Sequence, residues 1–304
     1  MSSVCGSLRL CEFHKTMLEV SNWRLVLRHA LKSSALTVVL LLLCVSSHAE
    51  DFKDVPYANI AGMSLTLDAH IPDGAGPFPA AVLVHGGGWI AGDKEQYITY
   101  IFQPLANAGF AWFSINYRLA PKYKFPAAAE DVERAIKYVT KNAARYKVDD
   151  RRIALIGESA GGHLVSYVGA RNREKSNVAA VVSLYGIHDF IAACVAWKPV
   201  PMEVLQLFGV RAIDAETAPV LIKASPVAYV KRDMPPFLLI HGSKDEDVPH
   251  GQSVEMCEKM NAAGARCELI TIEGAPHGMD HWERHPEFLW YKKALVEWLK
   301  KTLK

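Results

Sequence analysis

Short, almost continuously apolar runs alternate with longer amphipathic segments from residue 80 to the end of the chain. Helical spacing of apolar positions predicts five helices, Tyr97–Ala108, Ala127–Asn142, Ala160–Arg171, Gly251–Ala263 and Pro286–Leu303. The apolar runs are too short for helices and predict six strands, Ala80–His85, Ala111–Tyr117, Arg152–Gly157, Val178–Tyr185, Phe237–His241 and Cys267–Ile272. Such continuous hydrophobicity is typical of strands covered on both faces, as in a parallel sheet.

This alternation predicts an α/β fold with a mostly parallel, doubly wound sheet. Met63–Ile71, which precedes the first buried strand, is predicted to be an antiparallel strand at the edge of the sheet. The alternation of predicted strands and helices is interrupted over about residues 189–236, where prolines are frequent. We expect this insertion to lie over the carboxyl end of the sheet, where it can shape a pocket or a lid. No internal repeat occurs, and residues 50–304 are predicted to form one domain.

The first 49 residues have the pattern of an export signal. Three basic residues between positions 24 and 32 precede the apolar run Ala35–Val45, and Ala49 ends a small-x-small cleavage site. The run is shorter than the roughly 20 residues that cross a bilayer. We therefore predict a signal peptide over residues 1–49, cleaved after Ala49, and a secreted or periplasmic mature protein. An uncleaved anchor and a true start at Met17 stay open as alternatives.

Charge and composition exclude several classes of partner. The 304 residues are 50% hydrophobic and 22% charged, which is enough apolar surface for a large core. The net charge is +2; residues 1–49 hold five basic and two acidic side chains, which leaves −1 for residues 50–304. A nucleic-acid binder needs a basic stripe or arm, so we expect no nucleic-acid partner. We also expect no stable membrane insertion.

Three cysteines follow the leader, at positions 194, 257 and 267. Cys257 lies in a predicted helix and Cys267 opens the next strand, so the two can meet across the turn. A disulfide and three buried thiols are both compatible with this placement.

Metal chemistry has little support in the sequence. No Cys-x-x-Cys pair occurs. His277, His281 and His285 recur at every fourth residue, but Gly278 and Pro286 bracket the helix that a metal-binding face would need. We predict no metal site.

The strongest chemical signal is the segment Gly157-Glu158-Ser159-Ala160-Gly161-Gly162, between a predicted strand and a predicted helix. A sharp strand-to-helix turn exposes its central residue, and small neighbours remove the side chains that would clash. The Ser159 hydroxyl would then stand at the carboxyl end of the sheet, beside a helix N-terminus that favours negative charge. We predict Ser159 as a nucleophile; the alternative is a serine N-cap on a glycine-rich turn.

A second motif, His85-Gly86-Gly87-Gly88-Trp89, ends another buried strand. Glycines let backbone N–H groups approach a ligand, and acyl transfer needs fixed donors for its developing oxyanion. We predict an oxyanion hole made by the amides of Gly87, Gly88 and Ala160, with His85 in a structural role. No Gly-Lys-Ser/Thr follows the glycines, which excludes a nucleotide phosphate loop.

A serine nucleophile needs an imidazole oriented by a carboxylate, and in this type of fold the acid and then the histidine follow the serine. His277 leaves the last buried strand and would reach the same end of the sheet, so it is the predicted base ahead of His250, His281 and His285. Asp245, after Phe237–His241, is the predicted acid. Asp247 and, more distantly, Asp189 are alternatives that spacing alone does not exclude.

In this order the motifs resemble the α/β-hydrolase superfamily, and within it the hormone-sensitive-lipase-like carboxylesterases. The segments that carry the resemblance are His85–Trp89, Tyr117–Pro121, Gly157–Gly162, His241–Pro249 and His277-Gly278. The tryptophan after the glycines and the serine motif are similar to those of bacterial feruloyl and acetyl-xylan esterases. The resemblance covers Asp51 to the C-terminus.

The resemblance implies an α/β-hydrolase catalytic domain over residues 50–304 that hydrolyses small acyl or aryl esters through an acyl-enzyme. It implies Ser159, Asp245 and His277 as a catalytic triad, and no cofactor. The acid of the family lies three residues before a Val-Pro pair, which favours Asp245 over Asp247. The expected partner is a small-molecule ester, free or carried on a decorated polysaccharide.

Three other functions compete with this interpretation. Arylformamidases share a His-Gly-Gly-x-Trp loop and the same triad, so amide hydrolysis is the main alternative. A non-catalytic binding protein on the same fold is a second. A long-chain lipase is a third, but the insertion contains no long amphipathic helix, which favours short acyl groups.

Overall fold

A mixed sheet of eight strands organises the part of the chain that the computed structural model describes, residues 48–171 and 177–304. The strands are β1 Glu50–Ile60, β2 Met63–Ile71, β3 Phe78–Val84, β4 Ala111–Ile115, β5 Val148–Glu158, β6 Val178–Leu184, β7 Phe237–Gly242 and β8 Cys267–Ile272. Their order across the sheet is β1-β2-β4-β3-β5-β6-β7-β8. β2 is antiparallel to β1 and β4, and every pair from β4 to β8 is parallel.

Helices connect these strands and cover both faces of the sheet. They are α1 Phe102–Asn107, α2 Ala127–Lys141, α3 Ala160–Arg171, α4 Phe190–Ala196, α5 Met202–Phe208, α6 Ala218–Ala224, α7 Gly251–Ala262, α8 Met279–Trp282 and α9 Trp290–Thr302, with 3-10 turns at Ile98–Ile101, Pro226–Tyr229 and Pro286–Phe288. Two apolar clusters lie on opposite faces of the sheet. Successive residues of a strand point to opposite faces, and the neighbours Val82 and Leu83 of β3 belong to different clusters. The predicted doubly wound α/β fold is confirmed.

The edge of the sheet differs from the prediction. Met63–Ile71 is antiparallel, as predicted, but β1 pairs along its outer side and forms the edge instead. β1 lacks a run of apolar residues: it contains five charged or amide side chains and Pro56, and only Tyr57 is buried. Polar residues and proline are typical of an edge strand, so its pattern gave no strand signal.

The insertion predicted at about residues 189–236 holds the three seven-residue helices α4, α5 and α6. Phe190, Val204 and Leu207 anchor it in the apolar core. The leader predicted for residues 1–49 lies, apart from its last two residues, outside the described part of the chain. No helix within the described ranges is both long and apolar enough to cross a membrane.

Cys257 on α7 and Cys267 at the start of β8 form a disulfide, with their Cα atoms 5.2 Å apart. Of the two alternatives left open by the sequence, the structure therefore has the disulfide. Cys194 is a free, half-buried thiol, and burial raises the pKa of this thiol to about 11. It is therefore a poor nucleophile at neutral pH.

Candidate active site

Ser159 occupies the turn between β5 and α3. Its φ is +53°, in the left-handed region that non-glycine residues rarely adopt. Gly157 and Gly161 flank it closely: a Cβ on Gly161 would overlap the Val84 carbonyl oxygen, and one on Gly157 would overlap the backbone of Gly161. Only glycine fits at these positions, and their packing holds the serine in its strained conformation.

Ser159, His277 and Asp245 are joined by consecutive hydrogen bonds, although they lie far apart along the chain. The Ser159 Oγ is 3.0 Å from His277 Nε2, and His277 Nδ1 is 2.7 Å from Asp245 Oδ2. The imidazole ring also packs edge-to-face on Tyr185, with ring centroids 4.7 Å apart. The structure thus brings together the three side chains that the sequence singled out, in the geometry of a nucleophile, its base and an orienting acid.

The charges of this group support one another. Burial opposes ionisation of Asp245, but hydrogen bonds from His241 and His277 outweigh it and lower the pKa of the carboxyl to about 2. Burial likewise disfavours protonated His277, yet the hydrogen bond to Asp245 prevails and raises the pKa of the imidazole. A basic imidazole beside an ionised carboxylate is suited to accept the proton of Ser159.

A second histidine contacts the same carboxylate. The His241 side chain is fully buried, and its Nε2 lies 3.2 Å from Asp245 Oδ2 and 2.9 Å from the Val248 carbonyl. Because that carbonyl can only accept, the proton of His241 is on Nε2, and Nδ1 accepts from the Ser253 hydroxyl at 2.8 Å. Sequence reasoning missed this contact, although a polar residue at the end of a buried strand was a signal for it.

Gly87 and Gly88 line the cavity opposite Ser159, and both have positive φ, +91° and +58°. A Cβ on Gly87 would overlap the Ala91 carbonyl oxygen. Ala160 begins α3 and lines the same space. The backbone N–H groups of these three residues donate no hydrogen bond to any residue in the described ranges. They are therefore available to a ligand in the cavity.

Three side chains hold the glycine loop. Tyr117 donates from its hydroxyl to the His85 and Gly86 carbonyls, at 3.1 and 3.0 Å. His85 stacks on Tyr117, and burial lowers the pKa of this imidazole to about 4, so it is neutral. Trp89 donates its indole N–H to His163 Nδ1 at 3.1 Å.

His163, on α3, extends this support to the insertion. Its Nδ1 accepts from Trp89, so its Nε2 carries the proton and donates to the Ala224 carbonyl at 2.9 Å. Burial lowers the pKa of His163 to about 4, which keeps it neutral. One ring therefore connects the glycine loop, the helix that follows Ser159 and the end of α6.

A cavity of about 460 Å³ opens above Ser159. Its walls come from the glycine loop, from the insertion, and from the loops after β7 and β8; among its lining residues are Tyr97, Glu158, Trp197, Glu203, Asp247, His277 and Asp280. A site of this size is typical of small-molecule ligands. Trp197 lies in this wall, whereas Phe208 and Trp282 are buried in the core.

Glu158, directly before Ser159, is an unusual part of this wall. It is only 4% exposed, and its Oε1 accepts no hydrogen bond from any described residue. Burial raises the pKa of this carboxyl to about 7, against the opposing influence of His277. Its place in the serine motif was known from the sequence, but its burial was not.

The alternative acids and bases have other contacts. Asp189 caps α4 by accepting from the amides of Ile191 and Ala192. The side chain of Asp247 is exposed and does not contact His277 Nδ1, which binds Asp245. His250 contacts the Thr271 hydroxyl, and His281 and His285 pair with neighbouring carboxylates.

The sheet, the turn between β5 and α3 that holds Ser159, and the loops at the carboxyl end of the sheet define an α/β-hydrolase fold. The model of the BD-FAE family, an α/β-hydrolase esterase family, matches residues 67–260, and the chain belongs to this family. Among curated proteins, the esterase LipC of Mycobacterium tuberculosis is 31% identical over 216 residues, which cover 67% of this chain and 54% of the relative. The ethyl acetate hydrolase of Pseudomonas putida is 26% identical over 214 residues, 65% of each chain.

Solved structures agree with this assignment. A truncated carbohydrate esterase from gut microbiota is 28% identical, with a TM-score of 0.75 over 85% of this chain and 98% of that one. Thermogutta terrifontis esterase 2, phosphonylated by sarin, is 25% identical, with a TM-score of 0.66 over 82% and 94%. The predicted resemblance is confirmed. The chain spans about half the length of the mycobacterial esterases that it matches.

Proposed function

We propose that the protein is a serine carboxylesterase that hydrolyses short-chain acyl or aryl esters through an acyl-enzyme on Ser159. The observation that carries this proposal is the hydrogen-bonded path from Ser159 Oγ through His277 to Asp245, at the floor of a small-molecule cavity. The esterase names of several relatives support the ester bond as the target.

In the proposed mechanism, His277 Nε2 accepts the Ser159 proton while the hydroxyl oxygen attacks the ester carbonyl carbon. The oxyanion that forms is held by the N–H groups of Gly87, Gly88 and Ala160. The tetrahedral intermediate collapses, and His277 gives its proton to the leaving alcohol. A water then attacks the acyl-enzyme by the same route, which releases the carboxylic acid and restores Ser159.

Two features favour short, soluble substrates. The cavity of about 460 Å³ accommodates a small ester, and the helices of the insertion have only seven residues each. Acetyl or feruloyl groups on a sugar or polysaccharide fit this class, and a similar structure is named a carbohydrate esterase. Export after cleavage behind Ala49 remains part of the proposal and would place the enzyme in the periplasm or outside the cell.

The test is hydrolysis of p-nitrophenyl acetate by the wild type, by Ser159→Ala and by the exposed control Ser64→Ala. We expect Ser159→Ala to lose about 10⁴-fold or more in kcat/KM, as deletions of triad residues do, and Ser64→Ala to match the wild type. A serine-directed phosphonate should label the wild type at Ser159. Near-normal turnover by Ser159→Ala would overturn the mechanism.

A panel of esters from acetate to laurate, with methyl ferulate, acetylated xylan and a formyl anilide, resolves the substrate class. Ester turnover without formyl-anilide cleavage supports the esterase over the formamidase. The reverse pattern would assign the same triad to amide hydrolysis.

A further inference from the structure

The cavity above Ser159 is lined by many carboxylates and by no lysine or arginine. Glu158, Glu203, Glu246, Asp247 and Asp280 all border it, and the lining contains no basic side chain other than His277 and His281. The described domain as a whole has nearly balanced charges, so this segregation is local. Low-dielectric walls lined by one sign of charge focus the electrostatic potential inside a cleft.

Glu203 brings this negative charge close to the reacting centre. Its side-chain stem packs against the glycine loop, since a Cβ on Gly88 would lie 3.0 Å from Glu203 Cγ. The Glu203 carboxylate forms no hydrogen bond or ion pair with any residue in the described part of the chain. A half-buried carboxylate without a protein partner is open to a cationic group of a ligand.

Glu158 provides a second, independent indication at the floor of the cavity. It is at least nine-tenths buried, and its Oε1 accepts no hydrogen bond from described residues. Hydrogen bonds from the Gly86 amide and the Tyr185 hydroxyl stabilise its ionised form, yet burial still raises the pKa of this carboxyl to about 7. A positive group in the cavity would stabilise the ionised form further. Both the wall and the floor of the cavity therefore favour positive charge.

Aromatic rings complete the pattern. The Trp197 indole N–H donates to the Asp247 carbonyl at 2.8 Å, which fixes the ring in the cavity wall. Tyr97 also lines the cavity and is 44% exposed. Aromatic faces beside carboxylates are the groups that bind alkylammonium ions, through cation–π and ionic attraction.

We propose that the cavity selects esters by charge, and that its preferred substrates carry an ammonium group close to the ester bond. Neutral isosteres are then poorer substrates, and anionic esters are the poorest. The proposal rests on the proposed esterase function and specifies the substrate class of the same site.

The direct test compares acetylcholine with 3,3-dimethylbutyl acetate, which has the same shape without the charge. We expect acetylcholine to have a roughly tenfold higher kcat/KM, since an ionic contact and a cation–π contact together are worth about that factor. The preference should shrink with added salt, because salt screens charges. The anionic ester 4-acetoxybutanoate should be hydrolysed more slowly than either. Equal kcat/KM values for acetylcholine and its isostere would overturn the proposal.

The variants Glu203→Gln and Glu258→Gln test whether Glu203 causes the preference for the charged ester. Glu258 is exposed on α7 and does not line the cavity, so its variant should keep the wild-type ratio of acetylcholine to isostere. Glu203→Gln should lower that ratio several-fold. If it instead lowered kcat/KM for a neutral acetylated sugar and left the ratio unchanged, the carboxylate would bind hydroxyl groups and the proposal would be wrong.

A binding experiment keeps this proposal separate from the esterase function. Calorimetry on Ser159→Ala compares choline with 3,3-dimethyl-1-butanol, and tighter binding of choline supports charge selection whether or not any ester is hydrolysed. Equal affinity would overturn it. If the wild type hydrolysed none of the esters, only the proposed function would be overturned.

Discussion

His241 Nε2 lies 3.2 Å from the same Asp245 oxygen that receives the hydrogen bond from His277 Nδ1. Asp245 Oδ1 is held separately, by the amides of Val248 and Asp247 at 2.7 and 3.0 Å. The carboxylate is therefore oriented at both oxygens. In the proposed mechanism His241 is a positioning residue, because it contacts the proposed base, His277, only through Asp245.

Loss of the His241 donor should reduce turnover more than substrate binding. For His241→Leu we expect kcat to fall about tenfold, the effect of losing one hydrogen bond to a charged group, with KM little changed. His241→Gln can place an amide N–H near the former Nε2 and should recover part of the loss. Steady-state kinetics of both variants measure this, and equal defects in Gln and Leu variants would indicate a merely structural residue.

The glycine loop can be tested with a matched pair of substitutions. Gly87 and Gly62 both have positive φ, +91° and +83°, but a Cβ on Gly62 would meet no atom within 4 Å. Alanine at either site carries a similar backbone strain of about 1–2 kcal/mol. Only Gly87→Ala should also displace the predicted oxyanion donors and lower kcat by about 10²-fold. Similar kcat values in the two variants would argue against a role of this loop.

The pH dependence should respond to Glu158. The negative charge of Glu158 helps to raise the pKa of His277, and the base must be neutral to act. Glu158→Gln removes that charge, so the pKa of His277 falls and the acidic limb of the kcat/KM profile should move to lower pH. Glu258→Gln serves as the control, with no movement. A shift of the limb to higher pH would contradict the sign of this interaction.

The disulfide should contribute to stability rather than to catalysis. Cys257 and Cys267 are 10 residues apart, and closing a loop of that length stabilises the folded state by about 2–3 kcal/mol in the chain-entropy model. Replacing both with alanine should lower the free energy of unfolding in urea by that amount. A reducing agent should destabilise the wild type but not the double variant. The kcat/KM of the wild type should be unaffected by the reducing agent.

Hydrophobic pattern predicted the centre of the fold well and its margin poorly. The buried strands β3 to β7 are covered on both faces, so their apolar runs stood out in the sequence. β1 has one covered face at most, and its conformation depends on pairing with β2. The residues of β1 alone do not predict this pairing. Propensity is weak where pairing decides the structure.

The same contrast holds for the candidate site. Ser159, Gly87 and Gly88 lie in short motifs whose backbone requirements are local, so the sequence alone indicated them. Glu203 lies on α5, a helix too short to give a clear periodic pattern in the sequence, and only the folded chain brings its side-chain stem against Gly88. The contact between His241 and Asp245 likewise depends on the conformation of the loop after β7, which spacing could not specify.

The link from Trp89 through His163 to the Ala224 carbonyl constrains how this protein could be re-engineered. Residues 189–236 are the natural segment to exchange with a relative in order to change the shape of the cavity. A graft that moved the end of α6 would remove the carbonyl that accepts the hydrogen bond from His163 Nε2. The His163 ring would then be less well oriented to accept the hydrogen bond from the Trp89 indole beside the glycines. Chimaeras that retain α6 and replace only α4 and α5 should therefore keep their turnover while their selectivity changes.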